Sequence, residues 1–195
     1  MAHGLFKPAK RLWGFIKMAN FETALTLVLR HEGGYSDNPS DNGGATNWGI
    51  SIKTLAAVRG LQVTRDDVKA LTQDDARAIY RMAYWEPLKL SQVSAQMCAN
   101  VIFDQGVLCG IGTAIKRAQI ALKRLNKNIT IDGKMGVNTI NAINSCDPID
   151  FAVEFIIESQ DYLADIAIHN TTQVTFIKGW LRRTHDLLRD ILQLK

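Results

Sequence analysis

From Gly33 to Asn47 the chain is written almost wholly in Gly, Asn, Asp, Ser and Pro, and such a stretch has few side chains able to support a buried core. It forms a long irregular loop, and loops of this length inside a compact domain are often functional. Whatever packs must lie on either side of it. There the apolar residues recur at the spacing of helices and not with the alternation of strands.

Before the loop, Phe21, Ala24, Leu25, Val28 and Leu29 fall at i, i+3, i+4, i+7 and i+8 with Asn20 placed to cap, which predicts an amphipathic helix stopping at Gly33 and Gly34. After it, Ser51 caps a predicted helix to Arg59, and Thr72 with Asp75 opens another through Tyr84 that Pro87 ends. Residues 91–108 and 113–125 carry the same spacing, with Gly106, Gly110 and Gly112 marking a break between them. A polar, turn-rich segment from Asn126 to Gly136 leads into Val137, Ile140 and Ile143, again at helical spacing. Two long helices close the chain, the first marked by Phe151, Phe155, Ile156 and Leu163, the second by Phe176, Trp180, Leu181, Leu187, Leu188 and Ile191.

The expected class is therefore mainly α. With no linker composition near Gly110 to Thr113, any boundary there falls in packed material and the two halves share a core. A chain of 195 residues with 47% hydrophobic and 22% charged residues can bury such a core, which excludes disorder and fibrous repeats. The net charge of +4 suits an anionic polymer but does not choose one, and the absence of a dense Lys/Arg block argues against nucleic acid as partner. Three cysteines, Cys98, Cys109 and Cys146, show neither disulfide nor zinc-ligand spacing and read as core thiols. In residues 1–19, Lys7, Lys10, Arg11 and Lys17 interleave with Leu5, Phe6, Leu12, Trp13, Phe15 and Ile16. No apolar run there is long enough for a signal-peptide core or a membrane span. This basic leader is either a frayed segment or a short amphipathic helix touching a membrane surface.

Glu32 lies at the end of the first predicted helix, just before the loop. The negative end of a helix dipole and nearby unpaired carbonyls disfavour a carboxylate, so its pKa is expected to move upward, as a general acid requires. The alternative is a solvated helix-end residue, or one paired with Arg30 or a distant Lys. Asp41 follows Glu32 after eight intervening residues, and Thr46 follows Asp41 after four. Glycoside hydrolysis needs an acid for the leaving oxygen and often a second carboxylate for the water. Asp41 fits that second role with Thr46 orienting the water. It is equally good Asx-turn sequence, and Asp37 competes with it. Tyr35, Asn47, Trp48, Tyr84 and Trp85 are candidates to line a sugar groove, with Asp104 and Gln105 behind them, though large aromatics also serve as core. His31-Glu32-Gly33-Gly34-Tyr35 places Tyr where a zinc protease needs its second His, so that reading is rejected. No metal or cofactor is called for.

The runs His31-Glu32-Gly33-Gly34-Tyr35 and Asp41-Asn42-Gly43-Gly44-Ala45-Thr46-Asn47-Trp48-Gly49-Ile50 resemble the glycoside hydrolase family 108 muramidases. Leu71-Thr72, Ala76 to Tyr80 and Tyr84-Trp85 resemble the next helix of that family. Residues from about Gly110 to Arg183, including Ile131-Asp132-Gly133, Gly136, Thr139 and Gly179-Trp180-Leu181, resemble its peptidoglycan-binding region. The resemblance covers nearly everything after Ala19. It implies a lysozyme-like helical catalytic domain at 20–110 and a helical peptidoglycan-binding region at 111–195 packed against it. It also implies cleavage between N-acetylmuramic acid and N-acetylglucosamine, with the family's catalytic Glu falling on Glu32.

Two departures stand out. One residue fewer separates Asp41 from Thr46 than in the comparable trio of phage lysozymes, and Ser36-Asp37-Asn38-Pro39 replaces the family's Asn-Asp-Pro. The expected enzyme is a bacteriolytic, cell-wall-degrading muramidase of the endolysin or secretion-associated kind. It would be made in the cytoplasm and reach the wall through a holin, a secretion system or lysis. The rival readings are a lytic transglycosylase and a wall-binding protein without activity.

Overall fold

The computed structural model describes residues 18–37 and 44–193, so the basic leader up to Lys17 and the candidate base Asp41 lie outside the described residues. Among those described, nine α-helices and one two-stranded ribbon follow in order: α1 (Phe21–Leu29), β1 (Thr46–Asn47), β2 (Ile50–Ser51), α2 (Ile52–Arg59), α3 (Arg65–Lys69), α4 (Gln73–Tyr80), α5 (Gln96–Cys109), α6 (Ile111–Arg124), α7 (Val137–Asn144), α8 (Pro148–His169) and α9 (Ile177–Gln193).

Local chemistry explains where these helices begin. The Asn20 side chain accepts from the Thr23 N–H at 3.0 Å, and Ser51 accepts from Thr54 N–H at 3.1 Å, each satisfying a donor that the first turn leaves unpaired. Thr72 and Asp75 form a reciprocal capping box. A second box, Thr64 with Asp67, opens the five-residue α3, which apolar spacing had not predicted.

Several boundaries differ from expectation. Helix α1 ends at Leu29 with Arg30 as its cap, before Gly33 and Gly34 are reached, and Phe176 lies in a 3-10 turn ahead of α9. The helix opened by Thr72 runs as α only to Tyr80 and then widens into a π-helical turn over Arg81–Trp85. A 3-10 turn at Leu90–Gln92 precedes α5, which starts at Gln96 and not at Ser91. Of the three glycines expected to break the chain, only Gly110 does so, at φ 87°. Gly106 lies inside α5, where a Cβ would fall 2.8 Å from Leu88 Cδ1, so its role is to admit Leu88.

Helix α5 is the axis of the molecule. It packs against α1, α6 and α8, and Cys98, Ala99 and the six residues 101–106 are all buried. A helix apolar nearly all round belongs in the interior. Phe21, Tyr80 and Trp85 surround Phe103 with ring centroids 5.9, 6.3 and 5.6 Å from it. One continuous buried cluster runs from Ala19 to Ile191. The three thiols are free, and burial pushes Cys98 up to about 12 and Cys109 up to about 11, which keeps them protonated. Among the described residues no helix is long and apolar enough to cross a membrane.

Candidate active site

The site begins where α1 stops. Arg30 caps the helix and the His31 N–H still reaches Val28 C=O at 3.0 Å, so Glu32 is the first side chain clear of the last turn. The chain then enters the loop and returns to the core at β1, where Ser36 and Thr46 exchange both backbone hydrogen bonds at 2.8 Å. Strands β1 and β2 pair Thr46 with Ser51 and Asn47 with Ile50, which leaves Trp48 and Gly49 as a two-residue turn. Their φ values of 52° and 73° have the sign pattern of a type I′ hairpin turn. Gly49 adopts this region freely; Trp48 does so against its preference.

Side chains around this turn fix it. The Asn47 amide donates to the carbonyls of Val68, Lys69 and Leu71 at 3.1, 3.1 and 3.3 Å. The Trp48 indole donates to the Leu71 carbonyl at 3.1 Å. From α4, the Tyr80 hydroxyl donates to the Trp48 carbonyl at 3.0 Å. The hairpin is thereby tied both to the end of α3 and to α4.

Glu32 rests against this turn, its side chain only 17% exposed. A Cβ on Gly49 would stand 2.5 Å from Glu32 Oε2 and closer still to the Tyr80 hydroxyl, so the bare glycine backbone is what gives the carboxyl its seat. On the other side, Arg183 from α9 donates through Nη1 to Glu32 Oε1 at 2.8 Å. The same guanidinium donates through Nε to Asp104 Oδ1 on α5, also at 2.8 Å. Asp104 is buried, and Gln105 beside it reaches its other oxygen at 3.4 Å.

The electrostatics follow from burial. Loss of solvent pushes the Asp104 carboxyl up, and the Arg183 guanidinium pulls against that shift. Burial alone would lower Arg183, but the Asp104 and Glu32 carboxylates outweigh it and hold the guanidinium above its ordinary value. Burial first, and the charge of Glu32 second, push the Tyr80 phenol far above its usual range, so it stays a neutral donor. Beside this network a cleft of about 720 Å³ opens between α1 and α9, lined by Arg30, His31, Leu108, Trp180, Arg182 and Arg183 among others.

The residues singled out from sequence are thus distributed unevenly. Glu32 stands at the loop's entrance, with Asp104 tied to it through Arg183. Thr46 and Trp48 sit on the hairpin next to it. Tyr35 is exposed, with the Lys69 ammonium 5.8 Å from its ring centroid, and Tyr84 leans on Tyr80 at 5.9 Å. Asn47, Trp85 and Gln105 are packed inside at 6%, 1% and 2% exposure. Three carbonyls engage the Asn47 amide nitrogen, and the Trp85 indole donates to Ser91 Oγ at 2.7 Å, so neither N–H group is free for a sugar. Asp37 faces Arg65 at 3.2 Å. Sequence reasoning missed Gly49, Tyr80 and Arg183 as parts of the site. The Trp-Gly turn was a signal for Gly49; nothing near Arg183 distinguishes it from Arg182 beside it.

Residues 25–110 match the family glycosyl hydrolase 108, and residues 113–185 match a predicted peptidoglycan domain. The structure of SagA from Brucella abortus is similar over 89% of this chain and 94% of that one, at 31% identity and a TM-score of 0.78. A comparison with curated proteins finds no match.

Proposed function

The chain belongs to the glycosyl hydrolase 108 family, a lysozyme-like helical fold followed by a peptidoglycan-binding region, and on that premise we propose that it is an N-acetylmuramidase with Glu32 as general acid. It is a glycoside hydrolase acting on peptidoglycan at the cell wall. In the proposed activity it cuts the β-1,4 bond between N-acetylmuramic acid and N-acetylglucosamine and thereby lyses the wall, as an endolysin or a secreted muramidase does.

One observation carries this reading: a carboxyl, partly withdrawn from water, stands at the mouth of the loop with one oxygen held by a cation and the other over a bare glycine. In the proposed reaction Glu32 gives its proton to the glycosidic oxygen. The bond from that oxygen to the anomeric carbon breaks with its electron pair going to the oxygen. Water adds to the carbon left behind and yields a reducing end. Asp41 takes the proton from that water and Thr46 helps to hold it, which inverts the anomeric centre. If Asp41 has no part, the acetamide of the substrate serves as nucleophile in its place. Tyr35, Trp48 and Tyr84 are the rings offered to the sugar faces. A holin or a secretion system would deliver the enzyme to its substrate.

The test is digestion of purified sacculi by the wild type and by Glu32→Gln, reading the masses and ends of soluble fragments. Reducing N-acetylmuramic acid ends that fall about 10²- to 10⁴-fold with the variant support the proposal. Anhydro ends would mean a lytic transglycosylase, and binding without fragments a wall-recognition protein.

A further inference from the structure

We propose that Arg183 is a positioning residue for Glu32, so that the C-terminal region completes the catalytic site in addition to any hold it has on the wall. The inference rests on the reading of Glu32 as the acid. Arg183 lies within residues 113–185, the part matched to a predicted peptidoglycan domain, yet its guanidinium sits between two carboxyls of the other half of the chain. The three side chains are 17%, 9% and 1% exposed from Glu32 through Arg183 to Asp104, so the arrangement is anchored from the inside outward.

Stability gives such a network little reason to exist. Removing three ionic groups from water is expensive, and well-packed apolar side chains of similar volume are often as stable or more so. Its geometry, in contrast, suits an acid. A glutamate has three side-chain torsions, and a proton donor must be held close to its productive position, with displacements of about 1 Å costing on the order of 100-fold in rate. The Asp104 contact fixes the guanidinium plane, and the plane fixes Glu32 Oε1.

The donor set adds a second constraint. A guanidinium offers only N–H groups and accepts nothing. Glu32 Oε1 therefore accepts from Nη1, and the proton that Glu32 transfers resides on Oε2, the oxygen over Gly49. When that proton leaves, the negative charge forms against an arginine already in place, with no group having to move. Among the described residues Arg183 Nη2 is buried without an acceptor, so one nitrogen of the guanidinium, with its two N–H groups, has no protein partner there.

The experiment measures reducing ends released from sacculi at increasing substrate for the wild type, Glu32→Gln, Arg183→Ala and Arg183→Lys, each checked for folding by circular dichroism. Arg183→Ala should lower the saturated rate about 100-fold with half-saturation unchanged. Methylguanidinium, entering by the cleft that Arg183 lines, should restore part of that rate, and methylammonium should not. Should Arg183→Ala fail to fold, Arg183→Lys carries the test, because an ammonium lacks the planar fork that spans two carboxyls. A folded Arg183→Ala or Arg183→Lys with the wild-type saturated rate overturns the proposal, as does a loss in Arg183→Ala that both cations restore equally. A Glu32→Gln variant as active as the wild type overturns the reading beneath it instead.

Discussion

The Cβ that Gly49 lacks would stand 2.5 Å from Glu32 Oε2. The catalytic acid proposed here is seated on a residue with no side chain, at the second position of a hairpin turn whose φ of 73° also favours glycine. Gly49→Ala meets both obstacles at once. We expect it to cost about 1–3 kcal/mol in denaturant unfolding, and to lower the rate of sacculus digestion about 100-fold by displacing the Glu32 carboxyl. A variant as active as the wild type would show that the carboxyl does not work from this seat.

Asn47 separates a structural role from a substrate-binding one. Its amide nitrogen donates to three backbone carbonyls near the end of α3, so Asn47→Ala should cost about 1–3 kcal/mol by removing the donor that ties the hairpin to them. Asn47→Asp should be worse, because a carboxylate oxygen then faces three carbonyl oxygens. Chemical denaturation orders the two variants; Asn47→Asp as stable as wild type would contradict the assignment of the amide nitrogen to this side.

Tyr80→Phe deletes the donor that satisfies the Trp48 carbonyl and leaves the rest of the buried ring in place. The expected loss is about 1–3 kcal/mol. Since Trp48 is held at a φ of 52°, the same change should loosen the turn, visible as faster amide exchange at Trp48 and Gly49.

Acid should weaken the fold through its helix starts. Asp67 and Asp75 are lowered chiefly by hydrogen bonds from Thr64 and Thr72, and Glu22 by its hydrogen bond with Arg77. Because the folded values lie below the unfolded ones, the unfolded chain binds more protons as pH falls. The stabilisation is present above the unfolded carboxylate range near pH ~4 and is lost as pH drops through the folded values. The urea midpoint should fall below about pH 4, and it should fall less steeply in the double variant Thr64→Ala, Thr72→Ala, which should itself be about 1 kcal/mol less stable per cap near neutrality. Equal slopes would remove the boxes from the acid response.

Local patterns made most helices legible from sequence. Asn20, Ser51 and Thr72 announced three starts because a cap is a contact between residues three apart, and apolar spacing marked the faces that meet in the core. The short α3 escaped because five residues give no periodicity, although Thr64 and Asp67 carried the same cap signature as Thr72 and Asp75. The π turn at Arg81–Trp85 escaped because its residues also suit an α-helix. In the site, Glu32 was readable from its place at a helix end before a glycine loop. Asn47 looked available for ligand, since no local pattern tells a polar loop residue that its amide will be buried against α3. Arg183 was out of reach altogether: it stands 151 positions from Glu32 and 79 from Asp104, and only the packing of α9 against α8, which itself packs on α5, brings the three together.

The joint between α5 and α6 is a single residue, Gly110, and the helices on both sides of it contribute to one continuous core. Modular enzymes exchange targeting parts by recombination at linkers, where a cut exposes nothing. A cut at Gly110 would strip α6 and α8 from α5 and leave an apolar flank in water. Chimeras that graft a foreign wall-recognition region onto residues 20–110 should therefore aggregate unless the graft supplies its own cover for α5.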